Sequence, residues 1–171
     1  MGTRIDFKNY FKEIAENHLQ LQGRFIRSEL DEFLTGLNNI DVKPTIILES
    51  SDYRINNTSP DNVLRRRTLP FMVVMHVERP DDFEAQETAY DVTESIVDDI
   101  IAKLNLDCIN QDHEAIQGMD IIEIEVIPVA NIGDMNYGQR CEIIFSKRFE
   151  IDSDPSKWKE GYVNNNYEDA E

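Results

Sequence analysis

Asp112-His113-Glu114 is the one cluster in this 171-residue sequence with the residue types of acid–base catalysis, a histidine flanked by two carboxylates. General acid–base work needs such groups within hydrogen-bond reach of one substrate atom. Three successive residues in a polar stretch between periodic segments do not converge in that way, so the triplet reads as loop surface. Acidic pairs recur at i, i+3 as Glu84 with Glu87 and Asp91 with Glu94. On a helix such pairs share a face and offer oxygen ligands to a divalent cation. No Asp-x-Asp-x-Asp-Gly loop accompanies them, and a solvated acidic face is the simpler reading. Cys108 and Cys141 match no metal or redox spacing and read as buried thiols. His18 and His76 are isolated, and the seven glycines form no phosphate-binding loop or nucleophile elbow. The expectation is a protein without catalytic residues, cofactor or metal, working by docking.

Charge is the stronger signal. The formal net charge is −17, unevenly spread: residues 81–125 hold fourteen acids against one base, Lys103, whereas residues 44–79 hold five arginines against four acids. An acidic surface repels nucleic-acid phosphates and anionic lipid, which argues against direct sequence-specific nucleic-acid binding and against a membrane role. The longest purely apolar run, Phe71 to Met75, is far short of the ~20 residues a spanning helix needs. Met1-Gly-Thr-Arg-Ile-Asp places charges where a secretion signal is apolar, and Asp6 stands where a myristoylation motif needs Ser or Thr. Synthesis in a cytoplasm is therefore expected. Segregated charge also steers association between protein subunits. The expected contact joins Arg65, Arg66 and Arg67 of one copy to Glu84, Glu87, Asp91 and Glu94 of the next. The same acidity would suit an adaptor, or an inhibitor that imitates DNA.

The elements that must position these residues follow from periodicity. Phe7, Tyr10, Phe11, Ile14 and His18 recur at helical spacing and predict a helix over residues 5–21, with His18 packed and hydrogen-bonded on its apolar side. A second helix is predicted from Ser28, with Leu30, Phe33, Leu34 and Leu37 as its stripe. A strand follows from Thr45, continuing toward Tyr53, then an exposed loop over residues 56–62, then a strand over 69–77 covered on both faces. Pro80-Asp81-Asp82 starts a long helix to Leu104, whose stripe runs Phe83, Ala89, Tyr90, Ile96, Val97, Ile100, Ile101, Leu104. Ile122, Ile124 and Val126 alternate with Glu123 and Glu125, the pattern of a half-buried strand, and residues 141–151 form another. The predicted fold is α+β: an antiparallel sheet of about four strands packed against the long helix, with N-terminal helices and an extended C-terminal arm. The domain spans 1–152 and the polar arm 153–171, where Trp158, Tyr162 and Tyr167 read as docking anchors. Phe71, Val73, Val97, Ile101, Ile124 and Phe145 are expected to meet in the core.

This series of elements resembles the tail-terminator and tail-completion proteins of tailed bacteriophages. The likeness lies in Arg67-Thr-Leu-Pro-Phe-Met-Val-Val-Met-His-Val77, the helix from Asp81 to Leu104, and Tyr137-Gly-Gln-Arg-Cys-Glu-Ile-Ile-Phe-Ser146. The resemblance implies a virion protein forming a homo-oligomeric ring, commonly a hexamer, at the neck of the particle. Such a ring caps the tail tube and joins it to the head connector. The tail beyond Asp152 departs from that pattern and admits a related role, such as a cap in a contractile injection machine.

Overall fold

The computed structural model describes residues 4–27, 40, 42–57, 63–133 and 135–148. Helix α1 is Arg4–Asn17, and Phe7, Tyr10, Phe11 and Ile14 are all buried along one side. It ends four residues before the predicted Leu21, because the chain turns through Gln22 and Gly23 with φ of 51° and 82°. Gly23 tolerates that left-handed conformation at no steric cost. Leu21 enters the core from the turn rather than from the helix.

The sheet is larger than predicted and of mixed direction. Its strands are β1 (Phe25–Arg27), β2 (Thr45–Leu48), β3 (Asp52–Asn57), β4 (Val63–His76), β5 (Asp120–Val129) and β6 (Asn136–Arg148). The order is β1-β2-β4-β6-β5, with β3 also paired to β4. The predicted four-stranded antiparallel sheet is thus corrected to six strands with one parallel pair, β1 with β2. β1 escaped notice because three residues between Arg24 and Ser28 are too short to show alternation. Residues 45–53 divide into two strands, and both lie on the same edge of β4. β2 ends at Leu48 opposite Phe71, and β3 begins at Asp52 opposite Thr68. Pro70, which has no N–H to donate to a ladder, falls at this junction, where its carbonyl accepts from Glu49 N–H at 3.1 Å. β4 begins at Val63, so Arg65–Arg67 belong to a strand.

Helix α2, Phe83–Asn110, crosses one face of the sheet. Asp82 caps it, its carboxylate accepting from Ala85 N–H at 3.0 Å, as the Pro80-Asp81-Asp82 signal implied. Ala89, Ile96, Val97, Ile100 and Leu104 are buried, and Tyr90 and Ile101 are half-buried. Phe83, predicted to begin the stripe, is largely exposed. The helix outruns Leu104 because Asp107 and Cys108 continue its buried side, and it stops where Gln111 turns left-handed at φ 59°.

The core lies between the helices and one sheet face. Alternation sends Leu69, Phe71, Val73, Cys141, Ile143 and Phe145 into it, together with Ile46 and Leu48. Phe71, Val73, Val97 and Phe145 meet there as expected, with Ile101 at the margin. Ile124 does not: it is exposed, on the edge strand β5, of which Ile121 packs against the core. On the opposite face a smaller cluster of Ile40, Ile47, Met72 and Val74 covers one end. Gly138 in β6 sits so close to β4 that a Cβ would stand 2.0 Å from the Val73 carbonyl oxygen. The predicted second helix (Leu30, Phe33, Leu34, Leu37) and the arm after 152 lie outside the described residues.

Candidate functional site

The sheet presents one basic edge and one acidic, apolar edge. On the basic edge, β3 pairs with the first half of β4, placing Tyr53 opposite Arg67, Arg54 opposite Arg66 and Ile55 opposite Arg65. Successive residues alternate between faces. Arg65 and Arg67 therefore share the helix-bearing face with Tyr53 and Ile55, whereas Arg54 and Arg66 point from the opposite face. The Arg65 and Arg67 guanidinium carbons lie 5.0 and 5.7 Å from the Tyr53 ring centroid, and Arg67 also lies 5.3 Å from the Phe7 ring. Arg67 is buried, donating to Ser51 Oγ at 3.2 Å. Of the three arginines expected at a subunit contact, at most two of which a strand can turn the same way, Arg67 is buried at the core, Arg65 braces Tyr53, and Arg66 is exposed beside exposed Arg54.

The acidic edge belongs to β5, hydrogen-bonded to β6 with Ile124 opposite Ile143, Glu125 opposite Glu142 and Val126 opposite Cys141. Ile143 and Cys141 face the helices, so Ile124 and Val126 do as well; Glu123, Glu125 and Ile127 look the other way. Ile122, Ile124, Val126 and Ile127 remain 44%, 39%, 39% and 41% exposed. Among the described residues no strand pairs with the outer edge of β5. A bulge at Ile121–Glu123, the two glutamates and Pro128 interrupt this edge, the features by which proteins limit indiscriminate strand pairing. Glu84, Glu87, Asp91 and Glu94 are all exposed on α2.

A cleft of about 420 Å³ between α1 and α2 gathers the remaining titratable groups. Tyr10 Oη donates to Asp107 Oδ2 at 2.6 Å, and Lys103 Nζ donates to the same oxygen at 2.6 Å. Burial, then the hydrogen bond to Asp107, raises the Tyr10 pKa well above its ordinary value. His18 accepts from Gln20 N–H at Nδ1 and turns Nε2 to Asp99 Oδ2 at 3.3 Å. His113 likewise accepts from Ala115 N–H at Nδ1, stacks on Tyr10 with centroids 4.4 Å apart, and places Nε2 3.6 Å from Glu13 Oε2. His113 thus takes its carboxylate partner from α1, not from neighbouring Asp112 or Glu114. His18 is half-buried and hydrogen-bonded, as its position in the apolar repeat implied. Tyr10 with Asp107 ties α1 to α2, His18 with Asp99 ties the turn after α1 to α2, and His113 with Glu13 ties the segment after α2 back to α1.

Three further titratable side chains, Cys108, Cys141 and Arg140, are also held by the fold. Burial pushes the Cys108 thiol up to about 11 and the Cys141 thiol up to about 12. A thiol held neutral in this way is a poor nucleophile. On the face opposite the helices, Arg140 Nε donates to Glu49 at 2.7 Å and its Nη1 to Glu142 at 3.3 Å; the Glu49 hydrogen bond raises its pKa further. Among the described residues no group of three or more His, Cys, Asp or Glu could hold a metal ion, and no helix is long and apolar enough to cross a membrane.

The sequence expectations missed two features of this surface. The tandem apolar pairs Ile121-Ile122 and Val126-Ile127 put branched residues on both faces of β5, a sign that it is not a simple half-buried strand. Tyr53, between Asp52 and Arg54, carried no pattern marking it as the support of two arginines. Trp158, Tyr162 and Tyr167 lie outside the described residues. No protein-family model matches the chain, and no curated protein matches it.

Proposed function

We propose that this chain is a non-catalytic structural subunit of a tailed bacteriophage that assembles with copies of itself into a ring at the neck. As in the family it resembles, the ring, commonly a hexamer, would sit in the virion on the head-proximal end of the tail tube and join it to the connector. The observation that carries the self-association is the ten-residue strand β5, with four branched aliphatic side chains exposed across its two faces. Exposed apolar surface of that kind marks interaction sites on soluble proteins. The order of long β4, long helix and β5–β6 hairpin supports the neck assignment, since those three segments carry the resemblance. Commitment of the cleft histidines, Tyr10 and Lys103 to internal partners supports docking over catalysis.

Mass photometry across a concentration series, with electron microscopy of the same samples, tests this reading. A closed ring of uniform size is the expected result, and addition of purified tail tubes should place it at one tube end. A chain that stays monomeric at every concentration, with and without tubes, sinks the proposal.

A further inference from the structure

We infer that the ring contact is edge-to-edge strand pairing, β5 of one copy adding to β3 of the next so that the sheet runs on between subunits. This rests on the self-association proposed above and names its contact.

Strand direction comes first. β3 is antiparallel to β4, β4 to β6, and β6 to β5, so β3 and β5 run in opposite directions within one subunit. Moving a second copy sideways, helix face kept on the same side, sets its β5 antiparallel to the first copy's β3. Alternation of strand direction continues without a break, and rotation about a common axis closes such a head-to-tail contact into a ring.

Each face then matches. On the helix-bearing side β3 offers Tyr53 and Ile55, both exposed, and β5 offers Ile124 and Val126. On the other side β3 offers Arg54 and Asp52, and β5 offers Glu123, Glu125 and Ile127. Directly opposed residues of an antiparallel pair share a face, so placing Arg54 opposite Glu125 also sets Tyr53 opposite Val126 and Ile55 opposite Ile124. Sliding by two residues, to put Arg54 opposite Glu123, would bring Asp52 onto Glu125, and like charges directly opposed are unfavourable. The charges also bear on the partner. A second β5 edge has no base to set against Glu123 and Glu125, whereas β3 offers Arg54. The acids and the bulge that keep β5 from random pairing thus leave β3 of a second copy as its complement. Tyr53, already braced by Arg65 and Arg67, is held in place for the contact.

The double variant R54C/E125C tests the geometry. Opposed Cβ atoms in an antiparallel pair are about 4.5–5.5 Å apart, close to disulfide range, and the two cysteines lie on opposite edges of one subunit. Mild oxidation should give a ladder of dimers, trimers and higher species on a non-reducing gel, collapsed by reductant. Neither single variant should give more than a dimer, because native Cys108 and Cys141 are buried. A charge exchange provides the second readout. R54E and E125R should each raise the concentration for half-assembly by about fivefold or more, and R54E/E125R should return it toward wild type. Absence of both ladder and rescue, while the wild type still forms rings, overturns the strand pairing and leaves the ring intact. A wild type that never assembles removes the ring itself, and this contact with it.

Discussion

β5 and β6 are hydrogen-bonded neighbours rich in the same branched residues, yet they meet opposite environments. In β6, Cys141, Ile143 and Phe145 are fully enclosed beneath the helices; in β5, Ile124 and Val126 stand directly beside them and stay exposed. The difference lies in position. α2 lies mainly over β4 and β6 and reaches β5 only near its start, where Ile121 packs on the core, leaving Ile124 and Val126 uncovered. A strand's alternation shows which side chains share a face, but whether a layer covers that face depends on the rest of the chain. The same residue type therefore supports folding in one strand and is available for assembly in the next.

Mutation can sharpen or break that contrast. The largest effect is expected from Phe145→Ala, which empties a fully buried aromatic site and should cost about 3–5 kcal/mol in chemical denaturation. Ile124→Ala, one strand away, should cost less than about 1 kcal/mol in the isolated subunit while weakening assembly. Comparable losses at the two positions would show that β5 is covered after all. Gly138→Ala comes next. Its new methyl group would meet the Val73 carbonyl, and overpacking against backbone that cannot rotate away should cost about 1–3 kcal/mol, toward the upper figure. Unchanged thermal stability would refute the close approach of β4 and β6. A further effect is confined to alkaline solution. Folding holds the Cys108 and Cys141 thiols neutral to about 11 and about 12, against 9.0 for an ordinary thiol. Above pH 9 the unfolded chain therefore binds fewer protons than the folded one, and stability falls as pH rises through that window. At pH 8 both thiols should react with a disulfide reagent only as fast as the chain unfolds, and rapid reaction of the native protein would contradict their burial.

Much of this fold was legible because its signals are local. α2 announced itself through Pro80-Asp81-Asp82 and a six-turn apolar stripe, and β6 through even-spaced Cys141, Ile143 and Phe145. The failures are of a different kind. β1 depends on a partner in β2 more than on its own three residues. The end of α2 depends on Tyr10, far away in sequence, which supplies a hydrogen bond for Asp107. Arg67 looked like surface charge, yet the rings of Phe7 and Tyr53 make a place for its guanidinium in the interior. The candidate docking surface was half visible. Acidic and basic segments separate in the sequence, but only the strand order puts Glu123 and Glu125 of β5 and Arg54 of β3 on opposite edges of one sheet.

The packing of α1 also has a consequence in time. Its buried side, Phe7, Tyr10, Phe11 and Ile14, belongs to one core with residues of β4, α2 and β6, the last of them more than a hundred positions further on. At synthesis rates of about 5–20 residues per second, the interval between making Ile14 and making Phe145 is roughly 7–26 s. Throughout it the three aromatic rings of α1 wait while the core they join is incomplete. The core that α1 joins cannot close before β6 is made, and the nascent chain must stay unaggregated over that interval.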